Sequence, residues 1–194
     1  AMGHSKVIEE LVAGGAAVDA RSTQGITALM AAAGYGQLLA MTALLSAGAN
    51  KEAKLSGGFT AVHYAAQHGQ EAAVRLLVTA GADMETRAGR HLMTAVHLAA
   101  EHGHAHVMCA LAALGANLNT WDGRGRTPLD CFLRKAASSA VHGAVDGLLR
   151  LLQAGADPFV GGSKYYTALE GILKTIAAHP KWELQPYLPH VIRY

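Results

Sequence analysis

Formal charge and aromatic residues are both scarce in this chain. Asp, Glu, Lys and Arg make up 15% of the 194 residues and aromatic residues only 6%. With so few rings, the core has to be built from aliphatic side chains and alanine. The apolar share of 51% excludes a disordered polyelectrolyte, which combines low hydrophobicity with high net charge. A formal net charge of +2 excludes a bulk polyanion-binding arm, although local basic patches remain open to it. Proline is rare at 5 residues, whereas glycine is plentiful at 22. Many glycines beside much alanine predict short helices closed by glycine C-caps. The two cysteines, Cys109 and Cys131, form no C-x-x-C pair. That argues against a zinc ribbon, a thioredoxin-type site or a disulfide scaffold, and a reduced intracellular setting, cytoplasmic or nuclear, is expected. Residues 1–20 show no basic segment followed by an apolar one, so no secretory signal is visible, and Ala1-Met2 reads as a cloning scar. No formal charge falls between Arg21 and Lys51, but Gly34, Gly36, Gln37, Thr42 and Ser46 break that stretch. A helix–turn–helix is expected there rather than a membrane span, and no membrane insertion is expected.

What the chain does have is self-similarity. Thr27-Ala28-Leu29-Met30-Ala31-Ala32-Ala33 returns as Thr60-Ala61-Val62-His63-Tyr64-Ala65-Ala66 and again as Thr94-Ala95-Val96-His97-Leu98-Ala99-Ala100. Degenerate copies begin at Thr127-Pro128-Leu129 and Thr167-Ala168-Leu169. The threonines are spaced by 33, 34, 33 and 40 residues. In the same register, Gly15, Gly48, Gly81, Gly115 and Gly155 each precede an alanine and follow an aliphatic run. A mid-repeat glycine at Gly3, Gly36, Gly69 and Gly103 lies 12 residues before its terminal glycine. A hydroxyl at each motif threonine can accept from the orphan N–H groups of a starting helix. Gly81 suits a left-handed C′ position, and Val74, Leu76 and Leu77 recur at helical spacing.

These three landmarks resemble the ankyrin repeat, whose period is about 33 residues. The resemblance covers residues 3–157 well and 158–194 loosely. It implies an all-α solenoid of stacked helix–turn–helix units with protruding finger loops. A single domain over 3–194 follows, with a half repeat at 3–15 and repeats at about 16–48, 49–81, 82–115 and 116–155. A C-terminal capping unit then occupies 156–194. No single unit can bury its own apolar face, so neighbours must stack.

Several departures stand out. The segment Gly3-His4 to Leu11 reads as a second helix without its first, either a tolerated half-repeat cap or a face that a partner or further repeats would cover. The third finger holds one extra residue near Gly89-Arg90-His91-Leu92, since Gly81 to Thr94 is 13 positions and Gly48 to Thr60 is 12. In the fourth repeat, Thr127 to Gly155 is 28 positions against 21 for Thr27 to Gly48, which predicts lengthened helices or a longer turn around Lys135 to Ser139. The tail from His179 to Tyr194 carries Pro180, Pro186 and Pro189 and is expected to form a Pro-interrupted closing helix.

No catalytic motif is present: no G-x-S-x-G elbow, Walker A loop or H-E-x-x-H. An enzyme is therefore not expected, nor a cofactor. Eleven histidines invite a metal hypothesis, but no metal site is expected. His63 and His97 occupy the family's signature histidine, which the resemblance implies is bonded to the motif threonine. The binding surface is more informative. Six positions after the terminal glycines stand Arg21, Lys54, Arg87, Trp121 and Gly161, which should stack as a ladder. Nearby finger residues add Arg90, His91, Arg124 and Arg126. First-helix positions add Tyr64, His68, Leu98 and His102. In ankyrin repeats these positions line a concave partner-binding groove. The implied role is a non-catalytic interaction module for another protein or peptide, one that is acidic and carries an apolar anchor. Two other readings remain. One is nucleotide or single-stranded RNA binding by the Arg/Trp strip, which a net charge of +2 disfavours. The other is the regulatory array of a larger enzyme whose catalytic domain lies elsewhere. Phe59 is expected to buttress its hairpin, and both cysteines to be reduced and structural.

Overall fold

The computed structural model describes residues 2–136, 141–158 and 160. The C-terminal capping unit beyond residue 160, with Gly161 and the Pro-interrupted tail, lies outside the described residues. So do residues 137–140 of the fourth-repeat insertion.

Short helices follow one another in pairs. They are α1 (Met2–Ala13), α2 (Ala28–Gly34), α3 (Leu38–Ser46), α4 (Ala61–Gln67), α5 (Glu71–Thr79), α6 (Ala95–Glu101), α7 (Ala105–Ala113), α8 (Pro128–Ala136) and α9 (Val141–Gln153). The even-numbered helices pack on one another in sequence, α2 on α4, α4 on α6 and α6 on α8. The odd-numbered helices make a second layer, α1 on α3, α3 on α5, α5 on α7 and α7 on α9. Two backbone bridges, Arg21 to Thr27 and Ala88 to Met93, pinch the loops between units into fingers. No strand forms among the described residues. No helix among them is long and apolar enough to cross a membrane.

Helices of seven to nine residues are too short to stand alone, so packing holds them. The core is a set of ladders in the repeat register. Met41, Val74, Met108 and Leu148 are each fully buried, and Leu44, Leu77, Leu111 and Leu151 lie one position-set further along the same helices. Burying each such side chain is worth roughly 1.5–3 kcal/mol. Between the inner helices the buried alanine pairs Ala32-Ala33, Ala65-Ala66 and Ala99-Ala100 allow close approach.

The helix starts use the threonines as expected. Thr27 Oγ1 accepts the Met30 N–H at 3.3 Å. At the next two starts a histidine joins in. His63 Nε2 donates to the Thr86 carbonyl at 3.1 Å, which leaves Nδ1 to accept from the Thr60 hydroxyl at 2.9 Å and the Thr60 N–H at 3.2 Å. His97 repeats this between Thr94 and the Arg126 carbonyl. In the fourth unit Asp130 takes the histidine's place, accepting the Thr127 N–H at 2.8 Å. Each histidine thus ties the start of its own helix to the finger of the next unit. Burial holds both imidazoles below the usual value, against the opposing pull of their backbone hydrogen bonds.

The third finger shows its extra residue directly. Fingers one, two and four close with an N–H to carbonyl bond four residues apart, Ser22 to Ile26, Leu55 to Phe59 and Asp122 to Arg126. The third closes five apart, Ala88 to Met93, and Leu92 absorbs the insertion at φ +49°. In the fourth unit both helices lengthen, α8 to 9 residues and α9 to 13.

Candidate partner-binding site

Each finger is built from a turn that the sequence repeats. Two residues after the terminal glycine, Asn50, Asp83 and Asn117 accept the N–H of Glu52, Glu85 and Asn119 through their side-chain oxygens, at 2.8–2.9 Å. Four residues after that glycine, Asp19, Glu52, Glu85 and Asn119 accept the backbone N–H of Asn50, Asp83, Asn117 and Asp157 in the following finger. This inter-finger clamp was not among the expected site features. Its signal was available, because the four residues share the register of the terminal glycines. Higher on the fingers, backbone bonds run from Gly89 N to Gly57 O and from Gly123 N to His91 O. The Phe59 ring packs under Gly89, whose added Cβ would lie 3.2 Å from it, so this ring does buttress the hairpins.

On that frame the basic ladder takes a consistent form. Arg21 is exposed, and its guanidinium donates to the Lys54 carbonyl at 2.9 Å, 33 residues away. Arg87, also exposed, donates to Thr120 Oγ1 at 3.2 Å, again 33 residues away. Lys54, Arg90 and Arg124 are exposed and His91 is half-buried. Trp121 is 55% exposed, although it is among the largest apolar side chains of the chain. The clamp carboxylates Asp19, Glu52 and Glu85 are tied to backbone N–H groups of the next finger rather than to the basic side chains.

Two expected members depart from it. Arg126 is only 7% exposed. Its guanidinium is held by Asp122 Oδ2 at 2.7 Å and Glu101 Oε1 at 3.0 Å, which leaves it little to offer a partner. Burial works to lower the Arg126 pKa, but the hydrogen bonds it donates to Asp122 and Glu101, together with the neighbouring negative charge, outweigh it and the net shift is upward. Burial likewise works to raise Asp122, yet the bonds donated by Arg126 and Arg124 draw it below the carboxylate range. Leu98 is 5% exposed and belongs to the core. Both were expected on the surface because register alone does not tell a finger tip from a finger root, or the open face of an inner helix from its packed one.

Tyr64 is half-buried and its ring stacks on that of the exposed His68, 6.3 Å between centroids. With Arg21 and the 77%-exposed Tyr35 they line a groove of about 630 Å³ between the first finger and helices α2 and α4. His102 occupies the same place one unit on, its Nδ1 donating to the Leu98 carbonyl at 3.0 Å. No group of histidine, cysteine, aspartate and glutamate side chains among the described residues could hold a metal ion. Burial raises the thiol pKa of Cys109 and pushes that of Cys131 up to about 12, so neither is a ready nucleophile.

Comparison with curated proteins finds no match. The family model described as ankyrin repeats in three copies matches residues 1–88, and that of the single ankyrin repeat matches residues 91–123. Ankyrin repeats generally act as protein–protein interaction modules. With its threonine-led inner helices, its finger loops and these two matches, the chain belongs to the ankyrin-repeat family.

Proposed function

We propose that this chain is a non-catalytic interaction module that binds an acidic peptide segment carrying an apolar anchor. The segment lies in the groove formed by the finger loops and inner helices. The observation that carries the reading is the shared direction of Arg21 and Arg87, each reaching the following finger, with the exposed Trp121 in the next position of the same ladder. The acidic side chains at the finger bases are tied to backbone N–H groups rather than to the basic side chains, so Arg21, Lys54 and Arg87 offer their positive charge beside an open indole. Fingers cross-linked by hydrogen bonds form a preorganised surface, which lowers the ordering cost of binding. Charge sets the on-rate and salt dependence, and the Trp121 indole, once covered by the segment, sets residence time.

The test is a titration of a rhodamine-labelled dodecapeptide of aspartate pairs alternating with leucine. Neutralising Arg87, Arg90 and Arg124 to glutamine should weaken binding about tenfold at low salt, with the gap closing as salt rises. Trp121→Ala should cost about 2 kcal/mol at every salt concentration. Equal affinity for all three proteins would remove the strip from the interface.

A further inference from the structure

Next to the groove, four histidines gather at the turns that join α4 to α5 and α6 to α7. His102 and His104 stack with ring centroids 6.2 Å apart and an interplanar angle of 11°. His104 and His106 meet edge to face at 5.9 Å. His104 Nε2 donates to the Gln67 carbonyl at 3.2 Å, and His106 Nε2 to the Gly69 carbonyl at 3.1 Å. These two side chains from the third unit therefore bond the backbone carbonyls on either side of His68 in the second, and His68 itself lines the groove. His104 seats against Gly69, where a Cβ would come within 2.9 Å of the ring. Only a glycine lets the imidazole settle there.

Each ring is wired in the same way. One nitrogen donates to a backbone carbonyl: His68 to Tyr64, His102 to Leu98, His104 to Gln67 and His106 to Gly69. The second nitrogen has no protein partner among the described residues. A proton added there breaks no hydrogen bond, and the existing one becomes charge-assisted. His63 and His97 are the contrast, because both of their nitrogens are already used and a proton on Nδ1 would displace the threonine. The four-histidine cluster can take up protons without losing a hydrogen bond, and the signature histidines cannot.

The charged neighbours do not neutralise it. On α5, Glu71 is bonded to Arg75 at 2.9 Å. On α6, Glu101 faces Arg126 at 3.0 Å and Arg134 of α8 at 3.5 Å. Lys135 of α8 packs against Gly103. The first turn of α7 carries no acidic side chain, so its positive end is uncompensated within the helix. Burial, followed by the charges of His106, His102 and His68, holds His104 below the usual imidazole value. An anion lying across the cluster relieves that repulsion and draws protons in.

We propose that His68, His102, His104 and His106 form an acid-dependent carboxylate-binding site that extends the groove, so that an acidic segment binds more tightly as the histidines protonate. The proposal rests on the groove reading above and adds its regulation by pH. Imidazoles change charge between about pH 5 and 8, so the response falls in that window.

The experiment uses the full chain and the rhodamine-labelled dodecapeptide at constant ionic strength, at about pH 7.5 and pH 5.8. Affinity should rise about tenfold on acidification. Calorimetry at about pH 6.3 in two buffers of different ionisation enthalpy should show proton uptake on binding. In His104→Gln/His106→Gln, and separately in His68→Gln/His102→Gln, the rise should shrink to about twofold or less, with proton uptake falling in step. Circular dichroism at both pH values confirms that each variant is folded. The second pair is the more exposed and serves if the first does not fold. Peptide that binds equally at both pH values, or a rise that persists in a folded variant, overturns this site and leaves the groove standing. No binding at either pH overturns the groove and this site together.

Discussion

The Asp122 carboxylate accepts four hydrogen bonds, from the backbone N–H of Arg124 and Arg126 and from Nε and Nη2 of Arg126. Its side chain is fully buried, and it shapes the fourth finger from inside. Removing one partner of a buried pair leaves the other charge unmatched, which costs about 3–5 kcal/mol. Asp122→Ala should fall at the lower end, about 3 kcal/mol, because Glu101 still holds the Arg126 guanidinium. Urea denaturation reads the loss, and a change within error of zero would mean the network is dispensable. By contrast, the exposed pairs Glu71–Arg75 and Asp146–Arg150 contribute little. Residue-scale chemistry was partly legible in the sequence. The threonine–histidine pairing was carried by the motif, and the structure places it there with both histidine nitrogens accounted for. Arg126 was misplaced because an arginine beside Arg124 in a loop looks solvated until a carboxylate from another helix is brought to it. Glu101 is 25 residues away, and nothing in the local sequence announces the contact.

At the scale of the element, the fourth unit deserves comparison with the others. Its longer α9 lies close on its neighbours at Gly147. A Cβ there would stand 2.6 Å from Phe132 Cζ and 2.9 Å from Ala105 Cβ, both in well-packed positions. Alanine in a helix interior gains about 1 kcal/mol over glycine from propensity. Overpacking costs about 1–3 kcal/mol, so the clash wins and Gly147→Ala should lower the thermal midpoint. A raised midpoint would show that Phe132 can move aside freely. Helix boundaries were easiest to foresee in the repeats led by Thr27, Thr60 and Thr94, where threonine, mid-repeat glycine and terminal glycine punctuate each unit. The added residue of the third finger was located from spacing alone, and the hydrogen bonds put it between Ala88 and Met93. The fourth-repeat insertion was less determinate, because seven extra residues can lengthen helices or a turn. The described part shows helix extension on both sides.

The described residues form a stack in which each unit touches its neighbours and each histidine start is tied to the next finger. Such coupling makes stability sensitive to acid. His63 and His97 titrate below the ordinary imidazole value in the folded state because burial disfavours their charged form. Their contribution is therefore complete above about pH 6.5, the unfolded value, and is lost as the pH falls from there towards their folded values. Thermal melts should show a midpoint that is flat above about pH 7 and falls below about pH 6.5. A midpoint unchanged down to about pH 5 would contradict a structural role for the neutral rings. The repeat order and the ladder register could be read directly from the sequence at this scale. Which of the neighbouring positions are buried could not, since Arg126 and Leu98 are covered by packing between units that the register does not show.

The central claim is that a partner lies across the fingers and inner helices, with Trp121 as its anchor. Two-dimensional amide and indole NMR of the labelled chain, titrated with the aspartate–leucine peptide, tests it most directly. The claim predicts shifts at the Trp121 indole N–H, at the amides around Arg87, Arg90 and Arg124, and at Tyr64 and His68. Shifts confined to the outer helices α3, α5 and α7, with the Trp121 indole unmoved, would contradict it.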